Sequence, residues 1–144
     1  MKKHIILLLS LALVFTACST LCSQKSRLAN TRWTCSVEEF VADVGTATTT
    51  YTLEFTSAKT FALESEHVLP AHPATYVNAD GTIDRIPGAT SQYVRRGTYK
   101  AKKGTVVLSE EDGTVYTLRL VQDRLESDDL SYSPLVFTRD TASE

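Results

Sequence analysis

Few side chains in this sequence are suited to chemistry: three histidines and three cysteines among 144 residues. His67 and His72 are five apart, which matches neither the i,i+4 of a helix nor the i,i+2 of a strand. They do not face one metal ion unless a loop brings them together with Asp80 or Asp84, and solvated loop histidines are the expected state. No Gly-x-Ser-x-Gly, phosphate loop or dinucleotide fingerprint is present, and Glu110-Glu111-Asp112-Gly113 lacks the ligand spacing of a calcium loop. No catalytic residue, metal or cofactor is therefore expected, and the chain is read as a non-enzyme. Arg95, Arg96, Lys100, Lys102 and Lys103 make five basic groups in nine residues. Such a run attracts an anionic partner or simply solvates a hairpin with lysine at its turn, with Arg96 and Thr98 on the outer face.

The charge balance limits the partners. Seventeen acidic and fifteen basic side chains leave a net −2. From Thr31 onward the net is −6, which disfavours nucleic acid by field repulsion. The length suits one ordinary domain, and 42% apolar residues without a long polar tract argue against disorder.

Cys18 is defined by what precedes it. Met1-Lys2-Lys3-His4 is a cationic start, and residues 5–15 form an apolar run broken by one serine. That run is short of the ~20 residues that span a bilayer, so 1–17 is read as a secretory signal peptide. Phe15-Thr16-Ala17-Cys18 resembles the bacterial lipoprotein signal. The resemblance implies cleavage before Cys18 and diacylation of its thiol, a palmitate-type modification, so that Cys18 becomes the lipid attachment site. Two or three buried chains make departure from a membrane negligible. Ser19 stands where an aspartate would resemble an inner-membrane retention signal, and no acidic run follows. The similarity thus implies an outer-membrane lipoprotein facing the periplasm, anchored without spanning. Residues 18–30 are polar and small and read as a flexible tether. With Cys18 lipidated, Cys22 and Cys35 remain, either as a disulfide between tether and first strand or as two unpaired thiols.

The body, 31–144, holds 18 threonines with many valines and tyrosines, which favour pleated surfaces. Tyr51, Leu53 and Phe55 alternate with Thr52 and Glu54, and Tyr116, Leu118 and Leu120 with Thr117 and Arg119, as strands with one face on a core do. Turn signals at 56–59, 101–104, 110–113 and 122–123 imply an antiparallel meander that ends in a strand from Leu135 to Arg139. Ser36-Val37-Glu38-Glu39 is compatible with a capping box and a helix stopped at Gly45. The alternation of Trp33, Cys35 and Val37 favours instead a hairpin turning through Asp43-Val44-Gly45. The stretch from His67 to Ser91, with Pro70, Pro73 and Pro87, is expected to leave the sheet, with a short hairpin around Asp80-Gly81. It is the expected binding surface, or else a plug over the barrel end.

About eight short strands suit a closed up-and-down barrel, an all-β antiparallel fold. Leu28-x-x-Thr31-x-Trp33, Gly97-Thr98-Tyr99 and Phe137-Thr138-Arg139 resemble the small lipocalin-like lipoproteins of bacteria. The resemblance implies that Trp33 and Arg139 form a structural pair at the closed barrel end. The expected function is a membrane-anchored, non-enzymatic binding module for a small or lipidic ligand. The alternative is a protein-interaction module, such as an inhibitor of an envelope-directed hydrolase. An open apolar interior favours the first and a packed one the second. Ligand identity and oligomeric state are not legible in the sequence.

Overall fold

The computed structural model describes residues 27–141. The expected signal peptide, Cys18, Cys22 and the tether up to residue 26 lie outside these residues.

Period-2 alternation organises the whole chain. The strands are β1 (Thr31–Val41), β2 (Gly45–Phe55), β3 (Thr60–Leu69), β4 (His72–Pro73), β5 (Arg85–Ile86), β6 (Ala89–Lys102), β7 (Thr105–Glu110), β8 (Val115–Val121), β9 (Arg124–Ser127) and β10 (Leu135–Arg139). Eight of them close an antiparallel barrel in the order β1-β10-β9-β8-β7-β6-β3-β2, and β4 and β5 form a separate two-stranded pair. Each barrel strand neighbours the next one in sequence, as an up-and-down barrel of lipocalin-like form requires. The 36–45 segment is a hairpin: β1 pairs with β2 from Thr31↔Phe55 to Val41↔Gly45.

The turns follow local chemistry. Lys102 pairs with Thr105, and the two residues between them, Lys103 (φ 50°) and Gly104 (φ 80°), both hold positive φ. Two such residues form the tight turn whose twist matches that of the flanking strands. Gly97 meets a different constraint, because a Cβ there would run into the Ser109 carbonyl of β7.

Every second residue points inward. Trp33, Leu53, Phe55, Phe61, Leu63, Tyr99, Val106, Leu108, Leu118, Leu125, Leu135 and Phe137 are each at most 3% exposed. A void large enough for water would count as exposed surface, so none lies among these side chains; the lower barrel is a packed core. Leu28 joins it at 1% exposure and plugs one end. Beside it, the Trp33 indole N–H donates to Thr31 Oγ1 at 2.8 Å, and the Thr31 hydroxyl donates to the Leu28 carbonyl at 2.6 Å. Phe55 and Tyr99 meet edge to face with centroids 4.6 Å apart.

The excursion from the sheet is shorter than expected. His67 to Leu69 continue β3 and Ala89 to Ser91 continue β6, paired as His67↔Ser91, Val68↔Thr90 and Leu69↔Ala89. The prolines of this stretch stay outside that pairing; proline lacks the N–H that a ladder needs. Since β7 begins pairing with β6 only at Gly97↔Glu110, and Glu111 N–H reaches the Arg96 carbonyl, residues 89–94 extend beyond the closed barrel. The result is a closed end, carrying Leu28 and Trp33, and a mouth where β1, β2, β3 and β6 project.

Candidate functional site

At the mouth the inward positions change from apolar to polar. Arg95 lies opposite Leu63 and shares the inner face of β6 with Gly97 and Tyr99. Its Nη1 donates to the Tyr116 hydroxyl at 2.9 Å, and its guanidinium carbon sits 5.2 Å from the Tyr116 ring centroid. Glu110 Oε1 is 3.4 Å from Arg95 Nη1. That atom is buried and accepts no hydrogen bond, so the pair is held by charge without an aligned N–H···O contact. Thr49 and His67, a cross-strand pair, are joined at 2.8 Å through Oγ1 and Nδ1.

The β9–β10 connection folds over this mouth. Leu130 is buried against the core, and Asp129 accepts from the Ser127 hydroxyl at 2.8 Å and from the Thr117 backbone N–H at 2.9 Å. The Asp129 carboxylate therefore pins the connection where the β8–β9 ladder ends.

The excursion is a hairpin. Ala74 N–H donates to the Asp84 carbonyl and Asn78 N–H to the Thr82 carbonyl, both at 2.7 Å. Asp80 Oδ1 receives the Thr82 hydroxyl at 2.6 Å and the Thr82 N–H at 3.0 Å, and these bonds hold the Asp80 carboxyl below its usual range.

Apolar side chains that face solvent gather at this same end. Phe40 at the β1–β2 tip is 77% exposed, Tyr93 on β6 is 66% exposed, and Tyr76, Val77, Ile83 and Tyr132 are also exposed. Acids outnumber bases on the same elements: Glu38, Glu39 and Asp43 on the first hairpin, Asp80 and Asp84 beside Arg85 on the excursion, Glu111 and Asp112 in the β7–β8 turn. The free backbone edge of β6 over residues 89–95 lies on the same side.

The residues singled out from sequence distribute as follows. The register sets Trp33 opposite Arg139 at the closed end. Arg139 lines a hollow of about 760 Å³ there with Arg32, Asp123, Arg124 and Asp140. Cys35 is half-buried, faces the core and has no disulfide partner among the described residues; burial raises its pKa against a hydrogen bond from the Val136 backbone. Its suggested partner Cys22 and the lipid site Cys18 lie outside the described residues. His67 and His72 are engaged separately: His72 Nδ1 is 3.2 Å from the Pro70 carbonyl, to which an Nδ1–H donates. Among the described residues no three His, Cys, Asp or Glu side chains converge on one point.

The basic run is divided by the fold. Arg95 turns inward to Glu110, Arg96 points out, and Lys100, Lys102 and Lys103 belong to the closed end. The inward ion pair was missed in the sequence, although period 2 already places Arg95 on the face of Tyr99. The Leu130 plug had a weaker signal, a single leucine in a polar connection. Comparison with protein-family models, with curated proteins and with solved structures finds no match to this chain.

Proposed function

We propose that this protein is a lipid-anchored, non-enzymatic interaction module of the bacterial envelope, whose barrel mouth holds a cationic protein partner. An envelope-directed hydrolase is the kind of partner that this surface fits. The anchor in this reading is Cys18, and the location is the periplasmic face of the outer membrane. The observation that carries the reading is the rim of solvent-facing Phe40, Tyr76, Ile83, Tyr93 and Tyr132 set among acids, above a packed lower core. Apolar patches rimmed by charge mark association surfaces, and an acidic rim selects a basic partner. The unpaired edge of β6 adds backbone donors and acceptors that a partner strand can use.

A small or lipidic ligand is the second reading. Its support is the half-buried polar layer of Arg95, Glu110 and Tyr116 on the inner face above the packed core.

The test places a photo-crosslinking residue at Tyr93 or, as control, at Lys100 in the full-length protein. Lysozyme, a basic envelope hydrolase, serves as probe in cross-linking and inhibition assays. The proposal expects cross-links and inhibition through Tyr93 that Tyr93→Ser with Ile83→Ser removes. Equal cross-linking at both ends without inhibition overturns it. A co-purified apolar molecule seen by native mass spectrometry replaces it with the ligand reading.

A further inference from the structure

We propose that the closed end of the barrel is a docking face for anionic phospholipid headgroups, which holds the acidic mouth away from the bilayer. The proposal deepens the lipid-anchor reading and rests on it for proximity to a membrane.

The turns at this end carry free cations. Lys59 ends the β2–β3 turn, Lys102 and Lys103 precede Gly104 at the β6–β7 turn, Arg124 follows the β8–β9 turn, and Arg139 ends β10. None of these five has a carboxylate within ion-pair distance among the described residues. The neighbouring acids are engaged elsewhere: Glu54 and Asp140 both bind Arg32, at 3.2 and 3.4 Å, and Glu126 binds Arg119 at 3.6 Å. Asp123 is the acid left at this rim. The Tyr99 N–H donates to the Lys59 carbonyl, and the Leu120 N–H to the Gly104 carbonyl. Each of these turns is thus tied to the neighbouring strand, which fixes its cations on the closed end of the barrel.

Three further facts select a membrane as occupant. Although the described residues as a whole are acidic, the sign is divided by height: cations predominate on the closed rim and acids around the mouth. A long polyanion in solution meets both, whereas a plane of headgroups meets the closed rim alone. Screening cuts such attraction off within about 8 Å at physiological salt, so the turn side chains that touch the plane count and the distant acids do not. The described chain also begins at this end, and Leu28 is fixed in its core. Nine residue steps separate Cys18 from Arg27, and a chain covers at most ~3.3–3.6 Å per residue, so an acyl chain on Cys18 is attached within about 30 Å of this rim. Each lysine in headgroup contact raises membrane partition roughly fivefold.

The single tryptophan provides the probe, since Trp33 lies inside the closed end. The full-length acylated protein is reconstituted into vesicles of phosphatidylcholine alone or mixed with phosphatidylglycerol, each with a headgroup-nitroxide lipid that quenches at short range. The expected result is stronger Trp33 quenching in the phosphatidylglycerol vesicles. High salt and a Lys59→Glu/Lys103→Glu/Arg124→Glu variant both abolish that difference, while the variant keeps the unfolding midpoint of the parent. Equal quenching in both vesicles, or quenching untouched by charge reversal, overturns the docking face while the protein still floats with both. The anchor is judged separately, by flotation with phosphatidylcholine at high salt. If that fails, the anchor reading falls, and low-salt flotation with phosphatidylglycerol vesicles then decides the docking face, its presence supporting the face and its absence overturning it.

Discussion

Thr31 shows how one hydroxyl resolves a problem that an aromatic core creates. Burying Trp33 takes its indole N–H out of water, and an unpaired buried donor costs ~1–3 kcal/mol. The Thr31 hydroxyl accepts a hydrogen bond from that N–H and donates its own to the Leu28 carbonyl, so it serves both groups. Thr31→Val keeps the shape and removes the relay. The expected loss is about 1–3 kcal/mol in urea unfolding with an unchanged slope, and an unchanged midpoint would contradict this assignment. Trp33 and Thr31 were both legible as members of the first strand, and the register sets Arg139 across from Trp33. The relay was not legible, because it depends on Leu28 folding back under the barrel.

Among the elements, the excursion hairpin is stabilised by local polar contacts rather than by a core. Asp80 takes two hydrogen bonds from Thr82, and with no burial its lowered pKa reports those bonds directly. A carboxylate whose folded pKa lies below its unfolded value contributes order above the unfolded pKa and loses it as pH falls through the folded one. The hairpin tip is therefore expected to keep its order at neutral pH and lose it in acid below the usual aspartate range near 3.9. Thr82 amide protection measured by NMR should fall there while the Leu63 and Leu108 amides stay protected. Asp80→Ala should abolish that titration. The turn itself was visible in Asp80-Gly81, but the strands around the excursion proved longer. Pro70 and Pro87 mark where pairing ends, whereas the paired residues inside those limits carry no strong punctuation of their own.

At the scale of the whole molecule, the closing seam is its narrowest junction. β1 and β10 pair only through Trp33↔Arg139 and Thr34↔Thr138, whereas β1 and β2 pair over eleven positions. Asp140 reinforces the seam: its backbone N–H donates to the Arg32 carbonyl, and its carboxylate receives the Thr34 hydroxyl at 2.9 Å and pairs with Arg32. Because local opening follows the weakest junction, amides of β10 should exchange faster than those of β2 and β3. Asp140→Ala should speed the β10 amides several-fold and leave β2–β3 unchanged in hydrogen-exchange mass spectrometry. Uniform acceleration would show that the barrel opens only as a unit. The two ends of the same barrel differ in charge and in exposed apolar surface, which is why the partner and the membrane are assigned to opposite faces.

Local chemistry is what the chain by itself determined. Alternating side chains set the strands, short polar turns set a meander, and a cysteine after an apolar run set the expected address. These signals act over a few residues, and each is readable without knowing where the rest of the chain lies. Tertiary structure alone decided that the inner face is filled, that Arg95 turns in to Glu110 while its neighbours stay outside, and that Leu28 and Leu130 cap opposite ends. Closure also sorted the charges, since residues as distant as Lys59, Lys103 and Arg139 meet on one rim only when eight strands complete the barrel. Such meetings depend on register and closure, and no local pattern carries that information.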